Sequence, residues 1–253
     1  MRKMNERTTV LVFAALTAIG FALRRLQLAI GYDADGLPLP GAGVLLGVYS
    51  AAVAVLVFLY CRKLKGRAGF QEAFSFSVPA AVASGVGAGL ILIGSAIAFF
   101  ASGAGFSLEK AAALLGAVAV LSIAAQQNAL YKNEPLQPMI GMLPIIFYLI
   151  RLIGDFKAWS TDPIILDYWV KLFAMLSILL AAYYLGGFGL GKGKRDLAAC
   201  FCVLAVFFSV MCLADGGAEF SLIAGGSMLW EGACGWQLLR PDAAPAADAA
   251  PEA

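Results

Sequence analysis

Long apolar stretches fill this 253-residue chain almost from end to end. About eight of them reach the roughly 20 residues that a helix needs to cross the hydrocarbon core of a bilayer. Backbone amide and carbonyl groups find no water there, so a spanning segment must satisfy them internally, as a helix does. The sequence therefore predicts an all-α fold, a polytopic integral membrane bundle of about eight transmembrane helices, with about seven as the alternative.

The scarcity of charged residues supports this class. Only 13% of the residues are charged and 61% are hydrophobic, whereas a soluble domain carries about a quarter charged residues. The spans leave only short loops, so the chain has no room for a soluble catalytic domain. The expected surroundings are a lipid bilayer, and no nucleic-acid partner is expected.

Charged or turn-rich segments such as 33–40 and 61–67 separate the predicted spans. The basic residues before the first apolar run are typical of a signal peptide, but the run is too long for one, so we predict a retained first span. Residues 1–240 are expected to form one transmembrane domain, and the acidic, Ala/Pro-rich tail 241–253 is expected to be disordered. The predicted spans are 8–31, 42–61, 78–101, 110–130, 138–156, 164–186, 197–214 and 218–238.

The distribution of basic residues predicts the orientation. Cytoplasmic segments of membrane proteins are enriched in Lys and Arg. With the amino terminus in the cytoplasm, the external segments hold only two basic residues, Lys110 and Lys157. Eight spans then place both termini in the cytoplasm. The basic residues on the cytoplasmic side are Arg2, Lys3, Arg7, Arg62, Lys63, Lys65, Arg67, Lys132, Lys192, Lys194, Arg195 and Arg240.

Residues 23–41, LRRLQLAIGYDADGLPLPG, resemble a segment of uncharacterised multi-spanning membrane proteins of Gram-positive bacteria. The resemblance implies no activity and no residue roles. We expect a multi-pass protein of a bacterial plasma membrane.

Several catalytic chemistries are excluded by composition. The chain has no histidine, which excludes His-dependent phosphatases, His-ligated haem, HExxH metalloproteases and Ser/His proteases. Its five cysteines form no CxxC pair, so we expect buried, reduced thiols rather than disulfides or a zinc site. No nucleophile-elbow, P-loop or dinucleotide-binding motif is present in a suitable context. We therefore predict a protein that is not an enzyme and uses no cofactor or metal.

Ionisable residues inside the apolar segments are the best functional signal, because each is costly in lipid unless it is paired or hydrated. The helical rise places six of them at one depth near the external side. Four are basic and two are acidic, which predicts a site for a small anionic ligand. The six residues are Arg24, Arg25, Arg151, Asp155, Asp167 and Lys171.

A structural interpretation of the same residues stays open. Arg151 and Asp155, like Asp167 and Lys171, are four residues apart and are able to pair within one helix. Basic side chains near the end of a span also extend to the interface, and Trp and Tyr commonly form a belt there.

Two further polar positions lie nearer the cytoplasmic side. Glu231 has no obvious partner in its own span and is the candidate proton-coupling residue, because a buried carboxylate is able to carry a proton. The alternatives are that it extends to the interface or pairs with Lys132 or Arg240. The fourth span ends near the cytoplasm in Gln126, Gln127 and Asn128, which are expected to form hydrogen bonds at the interface rather than bind a substrate.

Gly85 and Gly89 form a GxxxG motif in the third span, which allows close approach of two helices. We expect packing inside the bundle, with a homodimer or membrane-partner interface as the alternative.

Two functional hypotheses result. The leading one is a small transporter or ligand-binding membrane protein with an outward-facing anion site. The other is a non-catalytic assembly or sensory subunit that packs against a partner through Gly-rich helix faces.

Overall fold

The structure is a computed structural model that describes residues 6–32, 39, 41, 43–64, 66, 69–103, 105, 107–160 and 168–240. All regular secondary structure in these residues is helical, with eight long helices and one short one. The tail 241–253 and Asp167 lie outside the described residues. The helices are α1 (Glu6–Ile30), α2 (Val44–Cys61), α3 (Phe70–Ala73), α4 (Val78–Ala101), α5 (Leu108–Lys132), α6 (Pro138–Trp159), α7 (Trp169–Gly189), α8 (Arg195–Cys212) and α9 (Ala218–Leu239).

Six helices, α4 to α9, form a closed ring in which each helix packs against its neighbour in the chain and α9 packs back against α4. The α4–α9 and α8–α9 contacts are extensive, and α9 also touches α7 across the ring. Helices α1 and α2 lie outside the ring and reach it through α8. Helix α9 is therefore enclosed by α4, α7 and α8.

Small residues allow the ring helices to approach one another closely, as is usual where lipid gives no hydrophobic drive for association. Gly87 of α4 faces Gly226 of α9, and a Cβ atom at either position would collide with the other's carbonyl oxygen. Gly186 of α7 lies against Gly141 of α6, and a Cβ atom at Gly186 would collide with the carbonyl oxygen of Gly141.

The prediction that Gly85 and Gly89 pack against another helix inside the bundle is wrong. No atom lies within 4 Å of a Cβ built on either residue, so both face the outside of α4. Gly87 and Gly94 are the glycines of α4 that approach α9. The face of α4 carrying Gly85 and Gly89 is free for a contact outside the bundle.

Helices long and apolar enough to cross a membrane number seven in the described residues. Helix α9 is of comparable length, with 22 residues, but it is less apolar, since it contains Glu219, Glu231 and Gln237. The turn before it, at residues 213–217, is a true chain reversal in which Gly216 and Gly217 adopt φ values of 74° and 88°. The predicted all-α polytopic bundle of about seven to eight spans is confirmed, and an integral membrane protein is the class that it supports.

All five cysteines are buried and free, as the absence of paired spacing predicted. Short contacts hold α1 and α2 together: the hydroxyl of Tyr49 donates to the carbonyl of Leu16 at 2.6 Å, and the hydroxyls of Thr9 and Tyr60 lie 3.1 Å apart. These two helices therefore form a hairpin attached to the side of the ring.

Candidate functional site at the charged end

Ionisable side chains collect at the end of the bundle where α1 and α6 finish and α9 begins. We call this group the charged end. It contains four basic and three acidic residues among those described: Arg24, Arg25, Arg151, Lys171, Asp155, Asp215 and Glu219. The alternating direction of the helices places the described residues of the predicted anion site at this one end.

Arg24 is buried, with a side chain only 2% exposed, although α1 itself lies at the periphery of the bundle. Its Nε donates to Oδ1 of Asp215 at 2.6 Å, and its Nη1 donates to Oε1 of Gln27 at 2.9 Å. Asp215 belongs to the α8–α9 turn and is itself 5% exposed. A charge that is removed from water in this way needs a counter-charge close by, and the turn provides it.

The second oxygen of Asp215, Oδ2, is buried and makes no hydrogen bond with the described residues. Arg25, the next residue of α1, points elsewhere: it is exposed, and its Nη1 donates to the carbonyl of Ala214 at 3.3 Å. The two adjacent arginines of α1 therefore hold the same α8–α9 turn, one through a carboxylate and the other through the backbone.

Arg151 binds two carboxylates at once. Its Nε lies 2.9 Å from Oδ1 of Asp155, one helical turn further along α6, and its Nη1 pairs with Glu219 in the first turn of α9. The Arg151–Asp155 pair is the i,i+4 contact that the sequence predicted. The Glu219 contact adds a link between α6 and α9 that spacing within one helix does not reveal.

Lys171 lies beside aromatic rings rather than in a described ion pair. Its Nζ is 5.4 Å from the ring centre of Tyr168 and 5.8 Å from that of Phe220, both within the range of a cation–π interaction. Its predicted partner, Asp167, lies outside the described residues.

The structure therefore brings the predicted basic residues to one end, where Arg24 and Arg151 belong to two separate ion-pair groups and Arg25 and Lys171 belong to neither. Asp215 and Glu219 are the functional candidates that sequence reasoning missed as site residues. Both flank the Gly216–Gly217 turn, so the span topology already placed them at the same end as Arg24 and Arg151. That topological position was the signal available for finding them.

The inside of the ring holds a second set of polar groups. Nε1 of Trp230 donates to Oε1 of Gln126 at 2.9 Å, and the hydroxyls of Tyr148 and Ser227 are 2.7 Å apart. Gln126 is therefore a buried core residue, and the prediction that it sits at the interface is wrong.

Glu231 is completely buried, at 0% exposure. Neither of its carboxylate oxygens has a hydrogen-bond partner among the described residues. Lys132 is exposed, and the guanidinium of Arg240 lies over the ring of Trp236. The two sequence-based alternatives for Glu231, extension to the interface and pairing with one of these residues, are therefore wrong.

Comparison with known proteins gives no relative to set beside this geometry. No protein-family model, curated protein or solved structure matches the chain.

Proposed function

We propose that the protein is a small membrane transporter for an anionic compound, with its binding site at the charged end. The observation that supports this most directly is that the two buried arginines of the charged end, Arg24 and Arg151, are held by carboxylates of one short segment. That segment is the α8–α9 turn together with the first turn of α9, which supplies Asp215 and Glu219.

An anionic solute offers these arginines the same chemistry as the two carboxylates. Guanidinium groups present fixed pairs of N–H donors that suit the oxygens of carboxylates, phosphates and sulfates. A solute that replaces Asp215 or Glu219 releases the α8–α9 turn from α1 or α6. Gly216 and Gly217, with their positive φ values, give this turn the backbone freedom to move.

The balance of charge favours an added anion over an added cation. Arg25 and Lys171 have no carboxylate in the contacts described for them. An anion bound beside Arg25 and Lys171 offsets their charge, which lowers the cost of holding it near lipid.

The test is thermal unfolding of the detergent-purified protein with inorganic phosphate, sulfate, acetate or chloride at matched ionic strength. Binding to the folded state raises the unfolding midpoint. At a ligand concentration of 100 times Kd, it adds about 2.7 kcal/mol to the free energy of unfolding. We expect at least one anion to stabilise the wild type more than chloride does.

The variants decide whether the effect belongs to the charged end. The double variant Arg25→Gln, Lys171→Gln removes two cations without leaving a described carboxylate unpaired, and it should lose the anion effect. Lys157→Gln removes one exposed cation of α6 at the same end of the bundle, and this variant should keep the anion effect. An equal shift in all three proteins indicates a general salt effect, and that result contradicts the proposal, as does the absence of any shift.

A second candidate function is assembly with a membrane partner or a second copy of the chain. It is favoured by the outward face of α4, where Gly85 and Gly89 contact nothing in the bundle. The variant Gly85→Leu, Gly89→Leu should then lose a cross-linked dimer or complex in membranes while it folds normally. Gly47→Leu on α2, also without a neighbour within 4 Å, is the matched control. A wild type that is monomeric in membranes excludes the homodimer.

A further inference from the structure

The carboxyl group of Glu231 lies in the middle of α9, inside the ring of helices. It is fully buried, and neither Oε1 nor Oε2 receives a hydrogen bond from any described residue. Two carboxylates at the charged end, those of Asp215 and Asp155, each have an arginine nitrogen within 3 Å. Glu231 differs from them in having no such donor.

No described positive charge faces Glu231 from the elements around it. Helix α4 contains no titratable residue, and the basic residue of α7, Lys171, lies at the charged end beside Phe220. The basic residue of α8, Arg195, is also buried, but its Nε donates to the carbonyl of Leu238, near the end of α9 and seven residues beyond Glu231. The titratable groups close enough to interact with Glu231 are Tyr148 of α6, Cys202 of α8 and Cys234 of α9. All three are neutral in their ordinary forms, so none compensates a carboxylate charge.

An ionised carboxylate cannot be accommodated in these surroundings at low cost. Moving an ion out of water costs several kcal/mol even after the protein relaxes, and a buried polar group without a partner is costly in its own right. No group of three or more His, Cys, Asp or Glu residues in the described part of the chain is arranged to hold a metal ion beside it. A bound proton is the remaining way to remove the charge.

A water-sized space lies next to this part of α9. The cavity, of about 10 Å³, is lined by Ser122, Gln126, Gly186 and Trp230 among others, and it has room for about one water. Trp230 precedes Glu231 in the chain, and Tyr148 and Ser227 form their hydroxyl pair one helical turn away. The residues of α9 that make these polar contacts, Ser227 and Trp230, both precede Glu231, and neither binds its carboxyl group.

We propose that Glu231 is a proton-binding site at the centre of the bundle, where one carboxylic acid takes up and releases a single H⁺. The ligand is the proton itself. The site is separate from the charged end and does not depend on anion binding there, so either proposal can fail while the other holds.

Infrared difference spectroscopy tests the protonation state directly. The spectrum of the purified wild type minus that of Glu231→Gln at neutral pH should contain the carbonyl stretch of a neutral carboxylic acid, which lies above the amide bands. Transfer to D₂O should shift this band, because the acid proton exchanges. Glu219→Gln, which removes a partly exposed carboxylate of the same helix, should leave the band in place.

Each result has one meaning. If the difference spectrum contains carboxylate bands and no acid band, Glu231 is ionised and is neutralised by a bound cation or an undescribed partner. That result overturns the proposal. An acid band that does not shift in D₂O means a static core residue and overturns it as well. An acid band that shifts supports it.

A second measurement needs no variant. A hydrophobic carbodiimide adds to a protonated carboxyl group within a membrane, and the oxygen-to-nitrogen acyl shift that follows leaves a stable N-acylurea that retains the whole reagent. Peptide mass spectrometry of the treated wild type should locate this addition at Glu231. If Glu231→Gln does not fold, addition of the reagent only to other carboxyl groups overturns the proposal.

Discussion

Arg24 and Asp215 form an ion pair across 191 positions of the chain, and each is needed for the burial of the other. We expect Arg24→Gln to lower the free energy of unfolding by about 3–5 kcal/mol, because it leaves the buried carboxylate of Asp215 without a counter-charge. Thermal unfolding in detergent measures the loss.

The double variant Arg24→Gln, Asp215→Asn should recover most of that stability, since a neutral amide pair replaces the ion pair. Lys157→Gln again serves as the control, with a change within about 0.5 kcal/mol. Equal losses in the single and double variants would show that Arg24 stabilises the fold through contacts other than Asp215.

Glycine positions on α4 offer a second test at the scale of single residues. Gly87→Ala should destabilise the bundle by about 1–3 kcal/mol, because the added methyl group collides with the carbonyl oxygen of Gly226 and the helices must move apart. Gly85→Ala on the outer face should be neutral or slightly stabilising, because nothing obstructs the methyl group and alanine favours a helix. Unfolding midpoints that fall equally in both would contradict the assigned faces.

These residues also show what the sequence could predict. The Arg151–Asp155 pair follows from helical spacing alone and was predicted correctly. The contacts of Arg24 with Asp215 and of Arg151 with Glu219 join distant segments, and no local pattern contains that information. The inner and outer glycines of α4 cannot be told apart by hydropathy, because lipid and the helix interior are both apolar.

Among the elements, α9 ends in a contact that was not anticipated. Arg195, the first residue of α8, is buried; its Nε donates to the carbonyl of Leu238 at 2.8 Å, and its Nη2 donates to the carbonyl of Arg240. The last carbonyls of a helix lack partners within the helix, and a positive charge there is also favoured by the helix dipole.

We expect Arg195→Gln to lower the stability of the bundle by about 1–3 kcal/mol, since buried carbonyls lose a charged donor. Hydrogen exchange followed by mass spectrometry should show the loss of protection first in the last turns of α9. Lys194→Gln, an exposed neighbour, should change neither measurement. Unaltered protection of α9 in Arg195→Gln would mean that water replaces the guanidinium there without loss.

The predicted limits of the spans agree with most of the long helices to within a few residues, because long apolar runs and Pro/Gly-rich turns are strong local signals. Helix α6 extends to Trp159 rather than 156, and α8 begins at Arg195 rather than 197. In both cases a charged residue extends the helix beyond its apolar part. Charged terminal turns of this kind are invisible to a hydropathy pattern.

For the whole molecule, the number of crossings is open to a direct test. Single cysteines at Lys132, Lys192 and Arg240 should react with a membrane-impermeant maleimide from one face, and a cysteine at Lys157 should react from the other. The five native cysteines are all buried and should give little background. A cysteine at Arg240 that reacts from the face of Lys157 would mean that α9 does not cross and that the orientation of the carboxyl terminus must be reversed.

The sequence predicts how many helices cross and which loops share a face, but not that α4 to α9 close into a ring with α1 and α2 outside it. Hydropathy fixes the depth of each residue and leaves its neighbours undetermined. The arrangement of the ring depends on shape, such as the match of Gly87 with Gly226, and on ion pairs between distant segments.

The enclosure of α9 has a consequence for the biosynthesis of the protein. Helix α9 follows α4 and α8 in the chain, and an acidic residue within an isolated span costs about 3 kcal/mol to insert into lipid. When α9 emerges from the ribosome, α4 and α8 have already been made and offer Glu231 a protein surface in place of acyl chains. Insertion of α9 is thus coupled to assembly of the earlier helices, and a chain that fails to assemble retains a span poorly suited to stay in the bilayer.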